Sequence, residues 1–269
     1  MKLFKDKQIL LNDLSVIWTL IKKEGRQIAK AQKELERYIR AAIIKHQNFE
    51  SALAYCLANK LNSPDLESAV INQIALNSYA SSKKLTDCAY LDIIAVTERD
   101  PACSRYIEPL LFFKGFQALQ CYRLSNHLYM TGNKDLAFFL QMRSSAVFGV
   151  DIHPNAKVGL SIMIDHAHSI VIGETAVIGN NVSLLHSVTL GGTGKDKGDR
   201  HPKIGDGVLI GAGASVLGNI SIGKCSKIAS GSVVLADVPD FKTVAGVPAR
   251  VVGTSGCDEP SSEMDQNLS

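Results

Sequence analysis

Apolar residues recur with two different periods along this chain of 269 residues, and the period changes near residue 150. Before that point they are spaced by three and four, which is the spacing of one helix face. The first such segment contains Leu14, Ile17, Trp18, Ile21 and Ile28. The pattern predicts helices from residue 9 to about 147, including two segments near 108–130 and 134–147.

Local signals divide this helical half. Asn62-Ser63-Pro64 closes the Ala- and Leu-rich segment 51–61, and Asp65 is expected to cap the next helix. Asp100-Pro101 is a further boundary, because the residue before a proline avoids the helical region. The segment 22–40 is rich in both signs of charge, which favours a solvated helix face, with a subunit contact as the alternative.

From residue 150 onward the apolar period is six. Thirteen aliphatic positions follow it, namely Ile152, Val158, Ile164, Ile172, Ile178, Leu184, Leu190, Ile204, Ile210, Val216, Ile222, Ile228 and Val234. A six-residue repeat is typical of a parallel β-helix, in which each short strand forms one side of a coil. The series is interrupted between Ile164 and Ile172 and again between Leu190 and Ile204. We expect the helical half to cover the first coil, because each end of a solenoid exposes an unpaired face.

Composition supports two architectures. Only 4 of the 21 glycines lie in residues 1–150 and the other 17 follow, as expected if glycines turn the corners of coils. The first half has 20 Lys/Arg against 14 Asp/Glu and the second 9 against 12, so the halves carry +6 and −3. The sum of +3 is too small to indicate a nucleic-acid partner.

Redox and targeting signals point to a cytoplasmic protein. The six cysteines show no C-x-x-C and no zinc-knuckle spacing, which favours reduced thiols in the cytosol over disulfides or a cysteine metal site. The basic start meets Asn12 and Asp13 directly after Ile9-Leu10-Leu11, so no signal-peptide core is expected. No stretch approaches the roughly 18 apolar residues of a membrane span.

Candidate chemistry lies in the two interruptions of the repeat, because loops that break a rigid scaffold often carry function. The first contains Asp165-His166-Ala-His168, and the second runs from Gly191 to Pro202. Asp151 precedes His166 by 15 residues, close to the 18 residues of a regular coil, so an Asp–His contact across adjacent coils is expected. Such an aspartate would orient the imidazole and make it a usable general base.

Other interpretations of these residues stay open at this level. A cluster of histidine and aspartate could also bind a metal ion. The Gly-Gly-Thr-Gly segment that starts at Gly191 lacks the ending of a P-loop and is weak evidence for a phosphate site. His153 and His186 are interpreted as solvated turn residues.

Several motifs together resemble the serine O-acetyltransferase family. They are Lys45-His-Gln-Asn-Phe-Glu-Ser-Ala-Leu-Ala-Tyr-Cys-Leu-Ala-Asn-Lys60, Arg99-Asp-Pro-Ala, Leu110-Leu-Phe-Phe-Lys-Gly-Phe-Gln-Ala-Leu-Gln-Cys-Tyr-Arg123, Asp151-Ile-His-Pro, Asp165-His-Ala, Gly173-Glu-Thr-Ala-Val, Ser187-Val-Thr-Leu-Gly-Gly-Thr-Gly-Lys, Gly198-Asp-Arg-His-Pro-Lys-Ile and Ala245-Gly-Val-Pro-Ala-Arg250. The repeat alone would indicate only the wider hexapeptide acyltransferase superfamily. The helical half and the Gly-Asp-Arg-His-Pro motif narrow the resemblance to the members of that superfamily that acetylate serine.

The resemblance implies an α+β fold, with an N-terminal all-helical domain followed by a left-handed parallel β-helix. The expected domains are 1–149 for helical assembly, 150–252 for the catalytic β-helix and 253–269 for a flexible C-terminal tail. It also implies a cytoplasmic homotrimer or a dimer of trimers, with active sites between neighbouring β-helices. The reaction would transfer acetyl from acetyl-CoA, a co-substrate and not a bound cofactor, directly to the L-serine hydroxyl in cysteine biosynthesis, with L-cysteine as feedback inhibitor. No metal, nucleic acid or membrane is implied.

The same resemblance suggests a role for each site residue. His166 would be the base, Asp151 its dyad partner and His201 a second histidine near the reacting hydroxyl. Asp100 and Asp165 would hold the serine ammonium and Arg200 its carboxylate, and His201 would also belong to the substrate-binding set. Residues expected to line the CoA channel are Gly192, Thr193, Ala212, Gly213 and Lys227.

Three positions depart from the family pattern. His168-Ser169 stands where Thr-Gly is frequent, which adds a titratable group near the serine pocket and is expected to alter affinity for serine or inhibition by cysteine. Ser230 replaces a smaller residue, a change expected to be benign. The tail ends at Leu268-Ser269, where many members of the family continue to a terminal Ile that inserts into cysteine synthase. This difference argues against a complex with cysteine synthase.

Three alternatives compete with this function. A γ-class carbonic anhydrase is also a left-handed β-helix, but its two zinc-binding histidines lie five residues apart, and Asp206 stands where His201 would need its partner. A relic that only binds cysteine synthase would not need the set Asp151, His166, Arg200 and His201. Acetylation of another hydroxyl, such as that of homoserine, would use the same chemistry.

Overall fold

A computed structural model of the protein describes residues 13–194 and 197–267. Helices form the first half of the chain. Their bounds are α1 Ser15–Ala31, α2 Lys33–Ile39 with a π-helical turn Arg40–Ile44, α3 Phe49–Leu61, α4 Ser68–Ser81, α5 Lys83–Arg99, α6 Ile107–Phe112, α7 Lys114–Met130 and α8 Lys134–Phe148. In those ranges no helix is long and apolar enough to cross a membrane. The basic start with Ile9-Leu10-Leu11 lies outside the described residues.

Two of the predicted boundaries are confirmed, whereas the segment predicted near 108–130 is divided into α6 and α7 at Phe113, whose backbone is extended. α3 ends at Leu61, and Asp100 is extended after the end of α5. The prediction that Asp65 caps the next helix is wrong, because α4 begins only at Ser68. The Ser68 amide donates to Asn62 Oδ1 at 2.7 Å. The side chain that accepts from the first turn of α4 is therefore Asn62, which precedes the proline, and not Asp65.

Short strands form the second half. They are β1 Val150–Ile152, β2 Lys157–Val158, β3 Met163–Ile164, β4 Ile170–Ile172, β5 Val177–Ile178, β6 Ser183–Leu184, β7 Thr189–Gly191, β8 Lys203–Ile204, β9 Leu209–Ile210, β10 Ser215–Leu217, β11 Ser221–Ile222, β12 Lys227–Ile228, β13 Val233–Val234, β14 Lys242–Gly246 and β15 Ala249–Thr254. Sheet 1 has the order β1-β4-β7-β10-β13, sheet 2 β11-β8-β5-β2 and sheet 3 β15-β14-β12-β9-β6-β3. Except for the antiparallel pair β14–β15, the strands within each sheet pair in parallel.

The thirteen predicted aliphatic positions all lie on strands and stack in register. The rows are Ile152-Ile172-Leu190-Val216-Val234, Val158-Ile178-Ile204-Ile222 and Ile164-Leu184-Ile210-Ile228. Each row places side chains of like size over one another inside the coil, so every coil buries the apolar surface of the next. The predicted α+β fold with a left-handed parallel β-helix is confirmed.

Two corners of the β-helix carry the polar residues of interest. The aspartate corner, where the chain passes from sheet 3 to sheet 1, comprises residues 165–169, 185–188, 211–214 and 229–232. The arginine corner, where it passes from sheet 1 to sheet 2, comprises residues 153–156, 173–176, 192–194, 197–202 and 218–220. The first interruption of the repeat lies in the aspartate corner and the second in the arginine corner.

Helix α7 covers the first coil, as the sequence predicts. The close approach requires Gly115, because a Cβ there would lie 2.0 Å from the Ile164 carbonyl oxygen. Further along α7, Arg123 donates to the Gly159 carbonyl at 2.9 Å. The same buried Arg123 pairs with the buried Asp92 of α5 at 2.8 Å, and Asp92 also accepts from the Ile162 amide at 3.0 Å. This network joins two helices to the coil that carries the first interruption.

The C-terminal segment folds back over sheet 3. It contains a short helix α9, Pro260–Glu263, in which Ser261 is fully buried and accepts from the Ser183 hydroxyl at 2.8 Å. The prediction of a flexible tail over 253–269 stays a prediction. Leu268-Ser269, on which the expectation about cysteine synthase rests, lie outside the described residues.

Candidate active site

A cavity of about 560 Å³ opens between the helical half and the aspartate corner. Its wall contains Asp100, Lys114, Asp165 and His166. The remainder of the wall is largely apolar and aromatic, with side chains of α6, α7 and β3. A largely apolar cleft with a few convergent charged groups is typical of a small-molecule site.

The end of α5 positions Asp100. The preceding Arg99 is buried and donates from its guanidinium to Ser183 Oγ at 3.1 Å and to the Val182 carbonyl at 3.4 Å. These bonds fix the last turn of α5 against the second coil. The Asp100 carboxylate accepts from the Ala102 amide at 2.8 Å, which holds it at the start of the following loop.

Asp165 and His166 are adjacent at the turn of the first coil. Nε2 of His166 lies 3.4 Å from Asp165 Oδ2, and the imidazole is 69% exposed. Burial raises the pKa of Asp165, the Asp100 carboxylate raises it further, and His166 opposes both effects. His166 has φ 56°, in the left-handed region that histidine enters more readily than most side chains. This conformation at the corner holds the imidazole out of the coil at the cavity wall.

His186 is a residue whose role the sequence did not reveal. It was expected to be a solvated turn residue, but its ring packs edge-on to His166 with the centroids 5.7 Å apart. Its Nδ1 is buried without a hydrogen-bond partner among the described residues. The two histidines are 20 residues apart, which is the length of this coil, so they stack on adjacent coils. Comparing residues one coil length apart in the sequence would have paired them.

Arg200 and His201 lie in the arginine corner, where Glu174 and Thr175 hold them. The Arg200 guanidinium donates to Glu174 Oε2 at 2.8 Å, and this bond lowers the pKa of Glu174. His201 is buried to 7% exposure, and its Nδ1 accepts from the Thr175 amide at 3.2 Å. Burial and the charges of Arg200 and Lys203 lower the pKa of His201, so the neutral imidazole is favoured.

Gly173 makes room for His201. A Cβ at this position would lie 2.0 Å from both Cδ2 and Nε2 of the His201 ring. The ring therefore occupies the space that any side chain at residue 173 would fill. Because Thr175 binds the opposite side of the ring, the imidazole is fixed between the glycine and the threonine.

Asp151 lies on β1, which leads into the arginine corner, and does not contact His166 of its own chain. Its Oδ1 accepts from Gln141 Nε2 at 2.6 Å, and it stands in register with Val171 of the next coil. The expected contact with His166 is not formed within one chain. The first coil has 20 residues in place of 18, because the interruption adds two, and these carry His166 around the corner away from sheet 1.

His153 also departs from its interpretation as a solvated turn residue. Its ring is half-buried against Phe138 and Tyr129, with centroids 5.6 and 6.1 Å away. Burial lowers the pKa of His153, which Glu174 and Asp151 partly oppose. His153 therefore packs at the start of the arginine corner as a neutral, aromatic neighbour of Asp151.

The residues expected to contact CoA are spread along the two corners. Gly192 and Thr193 lie in the arginine corner, where Gly192 approaches Arg200. Gly213 is in the aspartate corner, and its amide donates to the His186 carbonyl at 2.9 Å, so Ala212 and Gly213 continue the column of His166 and His186.

Lys227 differs from the others in being buried under the C-terminal segment. Its ammonium donates to the Asn267 carbonyl at 3.0 Å and lies 3.8 Å from Asp265. The C-terminal segment of the chain therefore engages the charge that was expected to face CoA.

Comparison with known proteins gives the same family from sequence and from structure. The profile "Serine acetyltransferase, N-terminal" matches residues 17–121, and "Bacterial transferase hexapeptide (six repeats)" matches 201–236. Serine acetyltransferase of Escherichia coli (strain K12) is 52% identical over 256 residues, which are 95% of this chain and 94% of that protein.

Two solved structures agree with this chain over almost their whole length. A serine acetyltransferase in complex with cysteine has a TM-score of 0.92 at 48% identity, covering 93% of this chain and 98% of that one. The serine acetyltransferase of Brucella abortus strain S19 in complex with coenzyme A has a TM-score of 0.89 at 47% identity, covering 92% and 99%. The resemblance found in the sequence is confirmed, and the chain belongs to the serine acetyltransferase family.

Proposed function

We propose that this protein transfers the acetyl group of acetyl-CoA to the hydroxyl of L-serine, giving O-acetylserine and CoA for cysteine biosynthesis. The observation that carries the proposal is the cavity at the aspartate corner, where Asp100, Asp165 and His166 converge. Two carboxylates suit a substrate ammonium, and an adjacent imidazole suits a hydroxyl that must lose a proton. Membership of the family supplies the identity of the two substrates.

The reaction follows from what each group can do. Asp100 and Asp165 hold the serine ammonium, which places the Oγ next to His166. As Oγ attacks the thioester carbonyl, His166 takes its proton, and the new C–O bond gives a tetrahedral oxyanion. Collapse of this intermediate breaks the C–S bond, and the departing thiolate takes the proton back from His166 to leave CoA-SH. A backbone N–H near Gly192 is suited to stabilise the oxyanion.

The active site combines the aspartate corner of one chain with the arginine corner of its neighbour in a homotrimer. Two separate polar groups in one chain support this. The charges that influence Asp165 come from Asp100, His166 and His186. Those that influence His201 come from a different set, namely three residues of the arginine corner and Lys203 on β8.

Across such an interface each arginine-corner residue has a partner. Arg200, oriented by Glu174, binds the serine carboxylate. His201 lies near the reacting hydroxyl, and Asp151 orients the neighbour's His166. Association of two trimers through the helical domains would complete a hexamer.

Acetyl-CoA extends from His166 along the aspartate corner past Ala212 and Gly213, with Gly192 and Thr193 of the neighbouring chain on its other side. L-cysteine has the same ammonium and carboxylate as L-serine, so the same residues can bind it as an inhibitor. The solved complexes of relatives with cysteine and with coenzyme A support both assignments. A cytoplasmic location is part of the proposal, and the free thiols of all six cysteines favour it.

The decisive assay is release of CoA thiol from acetyl-CoA with L-serine, with L-homoserine or without an acceptor, each with and without L-cysteine. We expect turnover with L-serine that exceeds turnover with L-homoserine and falls when L-cysteine is added. His166→Ala should lose roughly 10²–10⁴-fold in kcat, the usual contribution of a positioned base, while the folded protein is retained. Preference for L-homoserine would refute the substrate, and near-normal turnover of the variant would remove His166 as the base.

A further inference from the structure

A lysine and a histidine meet at the edge of the substrate cavity. Lys114, the first residue of α7, places Nζ 2.8 Å from Nδ1 of His168 in the aspartate corner. An ammonium group can only donate hydrogen bonds, so Nδ1 accepts. In this contact His168 is therefore neutral, with its proton on Nε2.

Lys114 is the single lysine or arginine among the described residues that line the cavity, and it shares the wall with Asp100 and Asp165. It nevertheless forms no ion pair with either carboxylate in the described part of the chain. Burial lowers the pKa of Lys114, and neither carboxylate contributes to that change. In the described part of the chain the ammonium is thus hydrogen-bonded to His168 and paired with neither acidic group.

This arrangement matters because the lysine ammonium and the ammonium of an α-amino acid have the same chemistry. Each is a compact cation with three donors, and the lysine carries it on a flexible stem. A Lys114 free of His168 could turn toward Asp100 and Asp165 and occupy the positions that the substrate ammonium needs.

We propose that His168 is a positioning residue that sets the affinity for the amino-acid substrate by holding Lys114 away from Asp100 and Asp165. The inference rests on the proposed function, because it takes these two carboxylates as the ammonium site. His168 acts only through Lys114 and touches neither the substrate nor the reacting atoms.

The test compares four proteins in the thiol-release assay: the wild type, His168→Ala, His168→Asn and the double variant His168→Ala/Lys114→Met. His168→Ala should raise the KM for L-serine about threefold, which is about 0.7 kcal/mol at 1.4 kcal/mol per tenfold change, with kcat and the KM for acetyl-CoA unchanged. Asn keeps an acceptor near the position of Nδ1 and should restore the wild-type KM. The double variant should also restore it, because no lysine remains to compete.

An unchanged KM for L-serine in His168→Ala would overturn the inference, and so would a raised KM that persists in the double variant. A parallel loss of kcat in His168→Ala would also refute it, because it would indicate a structural or catalytic role. Failure of the proposed function is distinguishable, because in that case the wild-type protein itself would show no L-serine-dependent thiol release.

Discussion

Replacing Gly173 by alanine is expected to displace His201 without changing any residue that touches substrate. The added Cβ would lie 2.0 Å from two atoms of the imidazole. Because such contacts need about 3.5 Å, the ring must move by roughly 1.5 Å. Thr175 blocks a simple shift, because its amide and hydroxyl already lie 3.2 and 2.9 Å from Nδ1, so the ring must rotate out of its present position and lose these contacts.

The size of the effect follows from the displacement. A misplacement of about 1 Å in an active site can cost ~10²-fold in rate, so we expect kcat/KM for L-serine to fall by about that factor. Overpacking of a well-packed site costs ~1–3 kcal/mol, which a protein of ordinary stability survives. The φ of Gly173 lies outside the left-handed region, so alanine brings no backbone strain.

The assay is thiol release under saturating acetyl-CoA, with thermal unfolding measured on the same samples. Gly253→Ala is the matched control, because no atom lies within 4 Å of a Cβ added there and its φ is also compatible with alanine. The control should keep wild-type activity. A folded Gly173→Ala protein with activity within threefold of wild type would refute the placement of His201 at the reacting groups.

Two further predictions concern stability. Arg123→Met leaves the buried Asp92 without its cation, and loss of one partner of a buried pair costs ~3–5 kcal/mol in the free energy of unfolding, which urea denaturation should detect. Adding Asp92→Asn should recover part of that loss, and no recovery would argue against the ion pair as its cause. Burial lowers the pKa of His201 in the folded protein, so below about pH 6.5 the unfolded chain binds more protons at this residue than the folded protein does. The free energy of unfolding should therefore fall as the pH drops from 7 through that value. His201→Gln should reduce this slope by at most about 1.4 kcal/mol per pH unit, and an unchanged slope would contradict the assignment.

The repeat could be predicted in detail because its physical cause is local. A coil of a β-helix places every sixth residue inside, so the aliphatic row from Ile152 to Val234 is visible in the sequence and fixes the register. The corners could not be predicted to the same precision. An interruption of known length adds residues to a turn, but the direction in which that turn carries His166 depends on the positive φ angles of His166, Ala167 and Ser169.

The candidate site could be predicted only in part, because its residues lie in the corners and not in the regular repeat. Asp165 and His166 were visible as polar residues in a broken repeat, whereas Thr175 and His201 meet only because a loop brings residues 26 apart together. Lys114 belongs to a helix, and nothing in its local sequence indicates which coil it faces. Contacts between the helical half and the β-helix depend on tertiary packing, which no single period encodes.

The central claim, that each active site joins the aspartate corner of one chain to the arginine corner of the next, can be tested by complementation. His166→Ala inactivates the first corner and Arg200→Ala the second, so each variant alone should be nearly inactive. A cyclic trimer that contains both variants has one interface with two intact corners among its three, whichever variant is in excess. Mixed trimers, purified through two different tags, should therefore recover about a third of wild-type thiol release. Mixed trimers no more active than either parent would contradict the shared site.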